Sequence, residues 1–383
     1  MSDPGLIIVG SGPAGVSAAE AFRRHKAEPP VRILTADSAL PYERPPLSKE
    51  FLRGETDDVA LHPADWYAEQ RVDLVHARVE TIDVDEQFVI ADGQRHPYRA
   101  LILACGSAPT PLPVPGGEHA YQLRSLADAQ RLRSRSIEAD SAVVIGAGFI
   151  GCEAAASLAM RGVSVTLVAP QASPQDKRLG AEAGERLRGL ITAAGARYVG
   201  GVSVEDVNEE RVRLDNGVTI DCDLVLAATG VRPQSDLAEA AGLDVTQSRV
   251  VVGADMRTSA RDVFAAGDVA LAFNPTAGRR IAIEHWQDAD DQGATAGAVA
   301  AGADGQWDGV PGFWTTIGDA TVKYHAWGDG YDRARLLDHE DGFTAWYERD
   351  GTAAGVLTYN ADDDYELGES LIKDGRPIPV AMR

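Results

Sequence analysis

Twice in this chain a short apolar strand runs into a glycine-rich turn, then an alanine-rich helix, then a second apolar strand. The first copy is Leu6 to Val9, Gly10-Ser11-Gly12-Pro13-Ala14-Gly15, a helical pattern from Val16 to Arg24, and Val31 to Leu34. The second is Ala142 to Ile145, Gly146-Ala147-Gly148-Phe149-Ile150-Gly151, a helix from Cys152 to Arg161, and Val163 to Val168. A Gly-x-Gly-x-x-Gly spacing alone is weak, because glycines fall at that interval in loops by chance; here each turn follows a strand and opens a helix. The first glycine permits the tight turn, the second lets the backbone approach a pyrophosphate, and the third lets helix and strand pack closely. The helix amino terminus then offers N–H groups and the positive end of its dipole. Two such units predict an α/β fold with two Rossmann-like dinucleotide-binding domains and two dinucleotides.

Each unit has a returning strand that ends in glycine: Ala100 to Ala104 before Cys105-Gly106, and Asp223 to Ala228 before Thr229-Gly230. Proline-rich stretches at Pro109 to Pro115 and at Arg232-Pro233 follow these strands and read as links between domains. A further strand, Val263 to Ala266, leads to Gly267-Asp268, and from Gly309 the alternating segments around Trp314, Trp327 and Trp346 predict a small third domain containing a sheet. In the first unit Asp37 stands about 20 residues past Gly15, where an acidic side chain binds an adenosine ribose; an ordinary loop aspartate is the competing reading.

Composition narrows the function by exclusion. At 383 residues the chain exceeds one ordinary core. A net charge of -22 argues against nucleic acid, whose phosphates need clustered Lys and Arg, although a general acidic habit of composition gives the same number. The three cysteines, Cys105, Cys152 and Cys222, are far apart and show no metal-ligand or disulfide spacing, so a reduced cytoplasmic setting and no metal are expected. No leader pattern opens the sequence and no run of about 18 apolar residues occurs, so neither export nor a membrane span is expected.

The segment Pro41-Tyr42-Glu43-Arg44-Pro45-Pro46-Leu47-Ser48-Lys49, together with both fingerprints, Thr229-Gly230-Val231-Arg232-Pro233 and Ala265-Ala266-Gly267-Asp268, resembles the FAD-dependent ferredoxin reductase family. That family includes the putidaredoxin, rubredoxin and aromatic-ring dioxygenase reductases, with the apoptosis-inducing factors as relatives. The resemblance runs from Leu6 to about Trp286 and weakens afterwards, with Phe313-Trp314 and Gly328-Asp329-Gly330-Tyr331 still similar. It implies a discontinuous FAD domain (1-110 and 235-308), an inserted NAD(P) domain (111-234) and a small α+β C-terminal domain (309-383). It assigns Gly10, Gly12, Pro13, Ala14, Gly15, Asp37, Arg44, Lys49, Val79, Arg124, Gly267, Asp268, His285 and Trp286 to FAD, with Lys49 near the flavin ring and Asp268 on the ribityl chain. It assigns Gly146, Gly148, Phe149, Ile150, Gly151, Glu153 and Gly230 to NADH or NADPH, Glu153 pairing with Lys49 when no nucleotide is bound. Glu284-His285-Trp286, with Gln292-Gly293, reads as a helix start whose N–H groups face the flavin; a plain interface role for Trp286, and a helix-dipole role for Glu153, stay open beside these assignments.

Two departures matter. The second unit continues as Ala169-Pro170-Gln171, without the glutamate that would bind the NADH ribose, which opens the site to NADPH; Lys177 and Arg178 lie nearby in sequence. No cysteine stands beside Ser48, so a thiol-based disulfide reduction is not expected and electrons should leave the flavin directly. The expected acceptor is a small iron-sulfur ferredoxin serving an oxygenase, the enzyme acting as a monomer or homodimer. Overall acidity sits awkwardly with an acidic ferredoxin unless a local cluster such as Arg131, Arg133 and Arg135 provides a basic patch. Two alternatives remain at this point: an NAD(P)H oxidase or small-molecule or quinone reductase, and a redox-sensing flavoprotein like the apoptosis-inducing factors.

Overall fold

The computed structural model describes residues 4–379; residues 1–3, where the leader was sought, and residues 380–383, at the end of the expected third domain, lie outside the described residues. The elements used below are, in chain order, β1 (Leu6–Val9), α1 (Pro13–His25), β2 (Val31–Thr35), β3 (Ser141–Ile145), α2 (Phe149–Met160), β4 (Ser164–Ala169), α3 (Trp286–Ala300), β5 (Gly312–Ile317), β6 (Ala320–Ala326) and α4 (Asp362–Lys373). By internal packing the chain forms two units, one of Met1–Glu43, Ala60–Ala108 and Arg232–Pro311, the other of Arg44–Val59, Pro109–Val231 and Gly312–Arg383.

The first unit is built on a five-stranded parallel sheet in the order Val263–Ala265, Ala100–Leu103, β1, β2, Val72–His76. Every residue of β1 is buried, as expected of a parallel strand covered on both faces. The helix α1 lies against α3 at backbone contact distance: a Cβ on Gly293 would fall 2.2 Å from the Ala14 carbonyl oxygen, and one on Gly297 would fall 2.1 Å from that of Ala18. Only glycine lets two helices approach so closely.

The second unit repeats the plan with a four-stranded parallel sheet in the order Arg197–Gly200, β4, β3, Leu224–Ala227. Here α2 is covered differently. A five-stranded antiparallel sheet, in the order β5, β6, Thr352–Tyr359, Phe343–Arg349, Arg333–Asp338, contributes Phe313, whose ring centroid lies 4.6 Å from that of Phe149. The helix α4 packs on this sheet where a Cβ on Gly368 would meet Val356 at 2.3 Å.

The α/β reading with two dinucleotide-type sheets holds, and the structure corrects the boundaries. Both fingerprint helices begin three residues earlier than the alanine pattern suggests, at Pro13 and Phe149. The third glycine of each motif sits within the first helical turn, and proline at the first helical position loses nothing, because its missing N–H would have no helical partner there. The strand β4 runs to Ala169, one residue further than its apolar pattern. Gln292 and Gly293 lie inside α3, which starts at Trp286. By internal packing, segments 44–59 and 312–383 group with the second fingerprint.

Candidate nucleotide sites

The two glycine turns share their geometry. Val9 pairs with Leu34 and Ile145 with Val168, and the turn's first glycine donates to the strand behind it at the same place, Gly10 N to Leu34 O and Gly146 N to Val168 O, each at 2.9 Å. Gly10 (φ 111°) and Gly146 (φ 106°) both occupy left-handed backbone, and a Cβ on either would strike a returning-strand carbonyl, 2.2 Å from Ala104 O and 2.4 Å from Ala228 O. A Cβ on Gly15 or Gly151 would strike the turn itself, 2.1 Å from Gly10 O and 2.0 Å from Gly146 O. The middle glycines are the opposite case: nothing lies within 4 Å of a Cβ on Gly12, and around Gly148 there is only the Gln175 amide nitrogen at 3.9 Å. These are the positions where a phosphate can reach the backbone. Pro13 and Ala14 open α1, and Phe149 and Ile150 open α2, with Ile150 exposed.

The other expected FAD residues of the first unit fall into three groups. Just past β2, the Asp37 carboxylate accepts from the Tyr42 hydroxyl at 2.8 Å and from the Ala39 amide at 3.1 Å. Gly267 and buried Asp268 follow the strand Val263–Ala265, and the Ser107 hydroxyl donates to Asp268 Oδ2 at 2.5 Å. His285 caps α3 and Trp286 begins it, with His285 Nδ1 3.1 Å from Oδ2 of the buried Asp288. Val79 is buried at the start of the strand Val79–Asp83, beside a bulge, apart in sequence from these groups.

Whether these residues fit a flavin dinucleotide can be judged on one side chain. Gln292 is fully buried; its Oε1 accepts the Gly267 N–H at 2.9 Å, while its Nε2 has no hydrogen-bond partner. Leaving a buried amide donor unpaired costs about 1–3 kcal/mol. A donor stranded beside Gly267-Asp268 suits an acceptor-rich ligand, so the residues present fit the group.

In the second unit the structure brings Lys49 and Glu153 together. Their charged atoms are 3.0 Å apart and both side chains are buried. The carboxylate is matched on both oxygens, Oε2 by Lys49 and the Ser48 hydroxyl at 2.5 Å, Oε1 by the Thr315 hydroxyl of β5 at 2.7 Å. Lys49 Nζ also donates to Pro45 O at 2.7 Å, which uses the carbonyl of the Pro45–Ser48 turn. Full pairing of this kind is what makes a buried ion pair tolerable, since desolvation alone opposes it. Arg44 Nη1 donates to the Arg124 carbonyl at 2.5 Å, just ahead of a capping box formed by Ser125 and Asp128. Gly230 takes φ 96° with open space around it.

Sequence reasoning named Gln292 with Gly293 but missed Ser107, Asp288 and Thr315 as parts of these arrangements; Thr315 could not be found, because 162 residues separate it from Glu153. Arg131, Arg133 and Arg135, the cluster considered as a basic patch, are in ion pairs with Asp128, Asp57 and Glu138. Burial pushes the Cys105 thiol up to about 12 and that of Cys222 to about 11, and raises Cys152 as well, so none is a thiolate near neutral pH. No cluster of side chains suited to a metal ion occurs among the described residues, and no described helix is long and apolar enough to cross a membrane.

Comparison with known proteins agrees with this geometry. The chain is 36% identical over 342 residues to the ferredoxin--NAD(+) reductase component of the anthranilate 1,2-dioxygenase system of Burkholderia cepacia, covering 84% of this chain and 82% of that protein. Its fold matches the ferredoxin reductase for the CYP199A2 system from Rhodopseudomonas palustris with a TM-score of 0.93, at 28% identity, over 100% of this chain and 98% of that one. It also matches the covalent putidaredoxin reductase-putidaredoxin complex with a TM-score of 0.93, at 29% identity, over 99% and 95% of the two chains. With residues 4–293 matching the family model for pyridine nucleotide-disulphide oxidoreductases, and both glycine turns built as such an enzyme requires, the chain belongs to that family.

Proposed function

We propose that this chain is an FAD-dependent NAD(P)H oxidoreductase that delivers electrons to a ferredoxin serving an oxygenase. The observation that carries the reading is the pair of glycine turns, equal in register and each with an open middle glycine, which provides for two dinucleotides in one chain. Bound FAD would supply two-electron uptake from NAD(P)H and one-electron release to an acceptor. The protein's part is to hold and to tune. Gly12 and Ala14 present N–H groups to the FAD pyrophosphate while Gly10 and Gly15 shape the turn and Pro13 opens α1; Asp37 serves the ribose, Asp268 the hydroxyl-bearing chain, and His285 and Trp286 the amino end of α3, and Val79 completes this set. Gly146, Gly148, Phe149, Ile150, Gly151 and Gly230 serve NAD(P)H.

Arg44, Lys49, Arg124 and Glu153 rest on the sequence resemblance for their flavin and nicotinamide roles. Lys49 supplies the positive charge that favours a reduced flavin, and Glu153 holds it in place. The relatives named for ferredoxin or putidaredoxin support a small iron-sulfur acceptor. High thiol pKa values and the lack of any paired cysteine favour direct flavin-to-acceptor transfer over a thiol relay. We place the enzyme in the cytoplasm, as a monomer or homodimer, with the FAD, NAD(P) and C-terminal parts divided as the motifs divide them.

The test is anaerobic stopped-flow mixing of the yellow protein with NADH and with NADPH, followed by addition of a ferredoxin. Rapid bleaching of the flavin band and onward reduction of the ferredoxin are expected. Failure of both nucleotides to bleach the flavin would overturn the reading.

A further inference from the structure

The two nucleotide units can be laid on each other by register, since Leu34 and Val168 accept the same glycine N–H. Thr35-Ala36-Asp37 then corresponds to Ala169-Pro170-Gln171. In the first unit this places a carboxylate just past the strand, fixed by Tyr42 and Ala39. In the second unit none of the three positions is acidic, and Ala169 is buried. The Tyr198 hydroxyl donates to the Gln171 carbonyl at 2.9 Å and ties this loop down.

The loop then returns to the phosphate turn. Gln175, in left-handed backbone (φ 57°), is the side chain that reaches Gly148, its amide nitrogen 3.9 Å from the position of a Cβ there. Lys177 and Arg178 follow on the single turn Asp176–Leu179; both are exposed, and neither is in an ion pair among the described residues. Other arginines in the chain, such as Arg53, Arg133, Arg186 and Arg213, are paired. The acid on the same turn, Asp176, has its Oδ1 buried rather than presented to solvent.

We propose that the second site accepts the 2'-phosphate of NADPH and does not select NADH against it. A carboxylate at the end of the second strand accepts hydrogen bonds from the ribose 2'-hydroxyl and repels a phosphate ester in the same place. Removing it takes away both the preference and the repulsion, and two unpaired cations on the same loop favour the more highly charged nucleotide. The inference rests on the oxidoreductase reading above, because it names the nucleotide for that reading's second site.

Isothermal titration of the flavin-loaded oxidised protein with NAD+, NADP+ and 2',5'-ADP separates the two. Expected are a Kd for NADP+ no more than about threefold above that for NAD+, and 2',5'-ADP competing with both. Binding of NAD+ with NADP+ weaker than that limit overturns this proposal and leaves the oxidoreductase reading standing; binding of no nucleotide overturns both. Gln171→Asp, which by the same register stands where Asp37 does, should raise the ratio of the NADP+ Kd to the NAD+ Kd by about tenfold or more. Should that variant fold poorly, the pair Lys177→Ala and Arg178→Ala gives a second measurement: NADP+ binding about five- to tenfold weaker with a flatter salt dependence, the NAD+ salt dependence unchanged, and recovery in Lys177→Arg with Arg178→Lys. Equal weakening of both nucleotides would assign the two residues a structural role and overturn the proposal.

Discussion

One motif, used twice, ends in two kinds of packing. In the first unit the fingerprint helix α1 is sealed by a second helix, α3, through glycines so close that the contact is backbone on backbone. In the second unit α2 faces the antiparallel sheet, and between its start and that sheet the chain buries an ion pair, Lys49 with Glu153, capped by Ser48 and Thr315. The first arrangement is apolar, short-range and intolerant of volume. The second is polar, fully satisfied and intolerant of losing a partner. A turn can therefore be conserved in geometry while the support behind it is specialised, a rigid seat in one copy and a charged one in the other.

The sharpest break of this comparison is Gly293→Val, since a Cβ there would fall 2.2 Å from the Ala14 carbonyl oxygen and 2.7 Å from the Ala14 Cα. Backbone cannot yield as a flexible side chain can, so a loss of at least about 3 kcal/mol or failure to fold is expected, read as yield and thermal midpoint. Wild-type stability in this variant would show that the helices are not in direct contact.

Glu153→Ala comes next. It strands a buried Lys49 without a counter-charge, which costs about 3–5 kcal/mol in urea unfolding, whereas the paired replacement Lys49→Met with Glu153→Leu should recover most of it. Equal destabilisation by the single and double changes would mean that packing, not charge, holds this region together.

Thr315→Val is a smaller cut into the same arrangement. It removes one of three side-chain donors on Glu153 while keeping shape, for an expected loss of about 1–2 kcal/mol. In a Glu153→Leu background the same change should cost almost nothing, and a double-mutant cycle reads the difference.

The smallest effect concerns the polar edge of the helix pair in the first unit. Burial raises the carboxyl of Asp290 on α3 above its ordinary value, opposed by a hydrogen bond with Ser17 of α1. An acid whose folded pKa is raised is most favourable to folding when protonated, so its contribution is present below the ordinary carboxylate range and is lost as pH rises through the shifted value. Asp290→Asn should then stabilise by less than about 1 kcal/mol at neutral pH, with the gain vanishing in acid. A gain that grew on acidification would reverse the assigned direction.

Much of this was legible in the chain. The strands β1 and β3, both glycine turns and the Pro-Pro-Leu-Ser-Lys segment follow from local pattern, and Asp268 follows from a carboxylate after glycine at a strand end. The helix starts were misplaced because Pro13 and Phe149 interrupt an alanine pattern that a fixed motif then overrides. That Arg131, Arg133 and Arg135 are in ion pairs with Asp128, Asp57 and Glu138 could not be read from the chain, because sequence shows a charge but not its partner.

What the sequence by itself determined is therefore the repeated strand, turn and helix, since glycine spacing and apolar runs act over a few residues through backbone sterics and burial. What only the tertiary structure decided is which distant groups complete them: Gln292 on Gly267, Gly293 on Ala14, Thr315 on Glu153. These contacts join segments far apart in the chain, and their energies depend on desolvation and close packing, which exist only once the chain has folded.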